Sequence, residues 1–184
     1  MTTNNIILET PRLLLRKVII ADAPFFYELN SNPLVVKYTG DKAFKDLEAA
    51  ENIVRFLQKQ YEQNRYARLI VIEKSTQTTI GWCGLKYHTD TQETDIGYRF
   101  MQQHWGKGYA TESAQACINY GFETLKLTRI IADAMKENIA SINVFQKLGM
   151  TYFGETLIDN IESVIYEISA LTNNAGYFKW KKND

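Results

Sequence analysis

Gln103-His104-Trp105-Gly106-Lys107-Gly108-Tyr109-Ala110 stands between a strand pattern ending at Met101 and a helix pattern running from about Gly108 to Leu125. Glycines at such a junction let a backbone approach a ligand with no side chain in between. The free N–H groups and the dipole of the following helix favour an anion there, and a pyrophosphate is the natural occupant. Two glycines ahead of a helix also make an ordinary tight turn, so the spacing alone leaves both readings open. The other phosphate-loop patterns, GxxxxGK[ST] and GxGxxG, are absent.

Working outward, Leu69 to Glu73, Ile80 to Tyr87 and Glu93 to Met101 read as strands separated by short polar turns, which predicts an antiparallel meander. The helix after the glycines presents Ala114, Cys117, Ile118, Gly121 and Phe122 on one face. It leads to a strand at Arg129 to Met135, so the strands on either side of that helix can lie parallel, with a ligand crevice between them. Asn138 caps a further helix ending at Leu148-Gly149, and strands near Thr151 to Leu157 and Val164 to Ala170 follow. Upstream, Thr10 to Arg16 reads as a turn entering a strand. Asp22 caps a short helix through Phe25, Phe26 and Leu29 that Asn32-Pro33 ends. A longer amphipathic helix spans about Asp46 to Gln63. The fold class is therefore α+β, a mixed and mostly antiparallel sheet with flanking helices. The polar tail Thr172 to Asp184 reads as partly mobile.

With 184 residues, 45% of them hydrophobic, the chain suits one domain over its whole length. Its 21 Lys and Arg balance 21 Asp and Glu, so no overall field attracts nucleic acid or an anionic membrane, and any anion must be bound locally. The polar start and the lack of a membrane-length apolar run predict a cytoplasmic protein. Cys83 and Cys117, without CxxC spacing, read as buried small residues. His88 and His104 have no accompanying ligand cluster, so no metal is expected.

Gln103-x-x-Gly106-x-Gly108 resembles the [QR]-x-x-G-x-[GA] signature of the GNAT superfamily. Leu8-Glu9-Thr10-Pro11-Arg12-Leu13, Asp95-Ile96-Gly97-Tyr98, Trp105 to Glu112, and Asn138-x-x-Ser141-x-x-Val144-Phe145-x-Lys147-Leu148-Gly149 are similar, in the same order, to its RimJ/RimL branch. The resemblance implies the GNAT fold, acetyl-CoA as cosubstrate, and N-acetylation of an amine. That amine would be a protein N-terminus, as of a ribosomal protein, or a small molecule, in a monomer or homodimer. It also implies that the strand ending at Phe100-Met101 splays from its parallel neighbour and pairs with the pantetheine arm. Trp105, Gly106, Lys107, Gly108, Tyr109 and Ala110 would hold the pyrophosphate, with Gln103, Asn138, Phe145 and Lys147 completing the coenzyme site. Lys107 adds a charge contact or is simply solvated.

Asn138 and Ser141 are also ordinary first-turn residues of a helix. Ser141, however, shares a helical face with Val144, Phe145 and Leu148, and that face looks inward. A hydroxyl there suits protonation of the leaving thiolate, as in similar enzymes. Many GNAT enzymes carry a tyrosine donor where this chain has Phe145, which cannot donate. On the acceptor side a neutral amine is needed, and deprotonating an ordinary lysine amine at neutral pH spans about three pKa units. Asp95 is the first candidate base, sharing a strand face with Gly97 and Arg99; a salt bridge to Arg99 is the competing reading. Glu112 is the alternative base, although the helix dipole already explains it. A non-catalytic acyl-CoA-binding or regulatory module is the alternative function.

Overall fold

The structure, a computed structural model, describes residues 5–158 and 160–171. The tail from Thr172 to Asp184 lies outside the described residues. Eight strands form one sheet in the order β1-β2-β3-β4-β5-β6-β8-β7. They are β1 (Ile6–Glu9), β2 (Leu13–Arg16), β3 (Arg68–Glu73), β4 (Thr78–His88), β5 (Glu93–Phe100), β6 (Arg129–Met135), β7 (Thr151–Ile158) and β8 (Ile161–Ser169). The helices are α1 (Ala23–Ser31), α2 (Pro33–Val36), α3 (Leu47–Asn64), α4 (Tyr109–Glu123) and α5 (Ile139–Lys147).

The expected meander β3-β4-β5 is antiparallel throughout. The single parallel pair is β5 with β6, joined through α4, and its ladder registers only Asp95 with Ile131. Beyond that point the two strands diverge, which opens the crevice expected from the sequence.

Each sheet face carries a separate core. On one side Leu69, Val71, Cys83, Leu85, Ile96 and Ile130 meet Ala114, Cys117 and Ile118 of α4 and Phe145 of α5. On the other, Ile70 and Ile72 meet Phe26 of α1 and Val54 and Leu57 of α3. Strand β3 is thus buried on both sides, and its unbroken Leu-Ile-Val-Ile run replaces the alternation of a one-sided strand. Burying each of these side chains contributes about 1.5–3 kcal/mol, so the strands flanking the crevice are held from both faces. Both cysteines are buried and free. Among the described residues no helix is long and apolar enough to cross a membrane.

Three local readings need correction. Asp22 precedes α1, but its carboxylate does not cap that helix; it accepts from the Arg16 guanidinium at 2.6 and 2.8 Å and from the Ile19 N–H. Asn32-Pro33 does not only end α1. Asn32 accepts from the Leu34 N–H at 3.0 Å, and Pro33, whose fixed φ suits a first helical position, begins α2. Ile6–Glu9, read only as a polar start, forms an edge strand against β2.

Candidate active site

Gly106 and Gly108 take φ of +73° and +81°, the left-handed region open to glycine. Gly108 is the N-cap of α4, and the first helical N–H to find a carbonyl is that of Glu112. Among the described residues the N–H groups from Gly106 through Thr111 have no backbone acceptor. A Cβ on Gly106 would meet nothing within 4 Å, so the space over the loop is open. Free donors, a helix N-terminus and an open approach fit a diphosphate.

Arg12, part of the Leu8 to Leu13 motif but without an expected role, braces this loop from behind. Its Nη1 donates to the Lys107 carbonyl at 3.0 Å, and its guanidinium lies 4.6 Å from the Tyr109 ring centre. Glu112 holds Arg12 in place, accepting from its Nε at 2.6 Å, its N–H at 3.0 Å and the Thr10 hydroxyl at 2.6 Å. With its carboxylate committed to this buried contact, Glu112 faces β2 and is not placed as a base.

The other loop residues divide by what they expose. Gln103, Trp105 and Lys107 are exposed, and Ala110 is half-buried. Tyr109 turns its side chain inward to Glu73, leaving only its N–H toward the loop. The Trp105 indole N–H donates to the Phe100 carbonyl at 2.8 Å, and the Met101 N–H bonds Ile80 across to β4 at 3.0 Å. Neither of those two groups is free to pair with an arriving chain; what remains is the edge of β5 that β6 has left. Lys147 is exposed in the last turn of α5.

The gap between β5 and β6 is the floor of an open cleft of about 220 Å³ that brings Asp95, Asn138, Ser141 and Phe145 together. Asn138 caps α5, its Oδ1 accepting from the Ser141 N–H at 3.2 Å. The Ser141 side chain is half-buried and lies against the Tyr98 phenol, a contact that works to lower the phenol's pKa against its burial. Phe145 is buried between Tyr98 and Tyr166, with ring centres 6.4 and 5.6 Å away. The Tyr98 hydroxyl donates to the Ser141 carbonyl at 3.4 Å, and burial pushes its pKa up, so it stays protonated. A phenol thus does reach this end of the cleft, from β5 rather than from α5.

Asp95 faces the cleft with Gly97 and Arg99, as strand alternation requires, but its partner is not Arg99. Arg68 from β3 crosses the sheet face to pair with it, and His88 Nε2 lies 3.0 Å from its second oxygen. Arg99 is held by Asn30 and by Asp41 at 2.7 Å, and the Trp82 indole lies between the Arg68 and Arg99 guanidiniums at 5.4 and 5.5 Å. Burial works to raise the Asp95 pKa; the charge of Arg68 and the His88 contact outweigh it and hold the carboxyl below its ordinary value. A second cleft carboxylate, Asp133 on β6, was not singled out from the sequence. Its signal was one charged residue inside the apolar run Ile130 to Ala134. Among the described residues no group of three or more His, Cys, Asp or Glu is placed to share a metal ion.

Residues 12–151 match the model of the acetyltransferase (GNAT) domain. The chain belongs to the GNAT family. GNAT enzymes use acetyl-CoA, and the family's members similar to this chain are N-acetyltransferases. One is the uncharacterized N-acetyltransferase p20 of Bacillus licheniformis, 36% identical over 149 residues that cover 78% of this chain and 84% of that protein. The crystal structure of a GNAT-family acetyltransferase from Bacillus anthracis superposes with a TM-score of 0.76 at 30% identity, covering 90% of this chain and 98% of the other. RimL, a ribosomal L7/L12 alpha-N-protein acetyltransferase solved with coenzyme A, has a TM-score of 0.78 at 15% identity, covering 89% of this chain and 97% of that one. That last likeness is one of fold, and the GNAT fold is what the eight strands and their single parallel pair make here.

Proposed function

We propose that this GNAT enzyme, acting as one catalytic unit, transfers the acetyl group of acetyl-CoA directly to an amine that enters the β5–β6 cleft. The carrying observation is that the cleft joins the α5 N-terminus, with Asn138 and Ser141, to an acidic wall formed by Asp95 and Asp133. The coenzyme's diphosphate lies on the N–H groups of the Gly106–Gly108 loop and the first turn of α4. Its pantetheine arm runs along the β5 edge beside Phe100 and Met101, and Gln103, Lys107 and Lys147 border it from solvent. The acetyl group then reaches the point where β5 leaves β6, near Ser141 and Phe145.

Attack by the neutral amine on the thioester carbonyl gives a tetrahedral intermediate, which collapses to the amide and a thiolate. Ser141, its side chain beside the Tyr98 phenol, donates a proton to that thiolate. Positioning and stabilisation of the oxyanion account for most of the rate, and no acyl-enzyme is formed. The motif order from Leu8 to Gly149 supports a place near the RimJ/RimL branch, whose acceptors are protein N-termini, while the open, solvent-reached cleft also admits a small amine.

The test is to incubate the protein with acetyl-CoA and a panel of amines: a peptide with a free N-terminus, free lysine and a linear polyamine. Release of CoA thiol that rises with amine concentration is the expected result. Release no faster than without amine, for every member of the panel, would overturn the proposal.

A further inference from the structure

Of the two carboxylates in the cleft, Asp95 is already saturated by Arg68 and His88. Asp133 is not: among the described residues it has no hydrogen bond and no ion pair, and its side chain reaches solvent through the cleft mouth. The position of Asp133 follows from the register. In the parallel pair Asp95 lies beside Ile131, so Asp133 stands two residues further along β6, on the same face and just past the point where the strands separate. Counted on from that register, the position across the gap on β5 is Gly97, which offers no side chain. Five residues on, Asn138 opens α5 and sets Ser141 into the same cleft.

We propose that Asp133 is the carboxylate that receives the acceptor's ammonium group and takes its proton, and that the acceptor is a cationic primary amine. The inference rests on the acetyltransferase reading above and adds the group that prepares the nucleophile. An ammonium R–NH₃⁺ pairs with the Asp133 carboxylate and gives it one proton, leaving R–NH₂ to attack the thioester. The N–H proton of the resulting adduct is lost as the C–S bond breaks, one proton ends on the thiol, and Asp133 returns its own to solvent. The sum is R–NH₃⁺ plus acetyl-CoA giving the acetamide, CoA–SH and one proton.

The surrounding charges favour this assignment. The charges that act on Asp133 are those of Asp95 on β5, Arg68 on β3, and His88 and Lys86 on β4. Tyr98 and Arg99 of β5 and Tyr38 line the same cleft, and across β6 the neighbour on β8 is the apolar Ile165. The cleft walls, then the charge of Asp95, push the Asp133 pKa up against the opposing pull of Arg68, His88 and Lys86, and the solvent that reaches its exposed side chain limits that rise. Although its edge remains open to solvent, Asp133 is thereby the stronger base of the two. Asp95, held low, is the weaker base and orients Arg68 and His88 instead. Arg68 and Arg99 are both neutralised by partners. The cleft's uncompensated charge is therefore negative, which recruits a cation and discriminates against an acceptor whose own carboxylate adjoins its amine.

The test compares Asp133→Asn with wild type in kcat/KM for the amine found active, over pH 6 to 10, alongside calorimetric affinity for acetyl-CoA. The expected result is a loss of about 10²-fold at neutral pH, acetyl-CoA affinity unchanged, recovery as alkaline solvent supplies the neutral amine, and partial activity in Asp133→Glu. The wild-type acid limb should lie above the ordinary carboxylate range and vanish in Asp133→Asn. A variant that folds, binds acetyl-CoA and keeps wild-type kcat/KM would overturn the assignment while leaving the acetyltransferase reading intact; so would a loss that no pH restores. A wild type that binds acetyl-CoA but acetylates no amine would sink both.

Discussion

Arg68 and Gly97 compete for one volume: a Cβ on Gly97 would lie 2.7 Å from Nη2 and 2.8 Å from Cζ of Arg68. The guanidinium passes over the bare strand to reach Asp95, and it is tied there by the Gly84 carbonyl as well. The absence of one side chain on β5 is thus what lets a cation from β3 fix the acidic wall of the cleft.

Gly97→Ala should push that guanidinium aside and lower stability by about 1–3 kcal/mol, the usual cost of overfilling a packed site. Denaturant unfolding at neutral pH measures it. Unchanged stability would mean that Arg68 has room to move without loosening Asp95.

Asp95→Asn removes one member of a pair whose side chains are only 11% and 9% exposed. Leaving Arg68 buried and uncompensated should cost about 3–5 kcal/mol. Because the folded pKa of Asp95 is depressed, its contribution is present in full above its unfolded pKa of about 4 and is lost as pH falls through the lower folded value. The gap in stability between wild type and Asp95→Asn should therefore be widest at neutral pH and narrow below pH ~4. A constant gap from pH 7 to pH 3 would contradict this.

The two loop glycines should respond differently. Gly106→Ala enters open space and carries only the left-handed strain of about 1–2 kcal/mol, so acetyl-CoA affinity should fall about tenfold or less. In Gly108→Val a branched side chain adds to that strain beside Arg12, whose Nη2 lies 3.4 Å from an added Cβ, and affinity should fall further. Calorimetry on both folded variants settles the order, and equal affinity in Gly108→Val and wild type would remove the loop from the coenzyme site.

Ser141→Ala should lower kcat while leaving acetyl-CoA affinity within a few-fold, since the hydroxyl acts as the thiolate departs. Wild-type turnover in Ser141→Ala, with chemistry rate-limiting, would leave Ser141 with no part in departure and pass that step to the Tyr98 phenol or to solvent.

The sequence showed most clearly what is periodic or glycine-marked. The inner face of α4, Ala114 to Phe122, follows from helical spacing, and the loop at Gly106 and Gly108 from residues that alone adopt its backbone freely. The partner of Asp95 was not legible, because the contact spans three strands and depends on register and on the empty place at Gly97. Asp133 was passed over for a related reason. A carboxylate in an apolar strand stands out, but only the splay of β5 from β6 gives it a cleft to face. Pro33 ends α1 as read, and its second role, opening α2, went unseen because the same residue that ends one helix suits the first turn of another.

The most direct measurement follows both products of one reaction, with acetyl-CoA in excess over a primary amine that wild type accepts. CoA thiol and N-acetylated amine, the latter identified by mass spectrometry, should accumulate in equal amounts at every time point, and neither should form without protein. CoA thiol released with no matching N-acetyl product, or at a rate indifferent to the amine, would contradict transfer to an amine in the β5–β6 cleft.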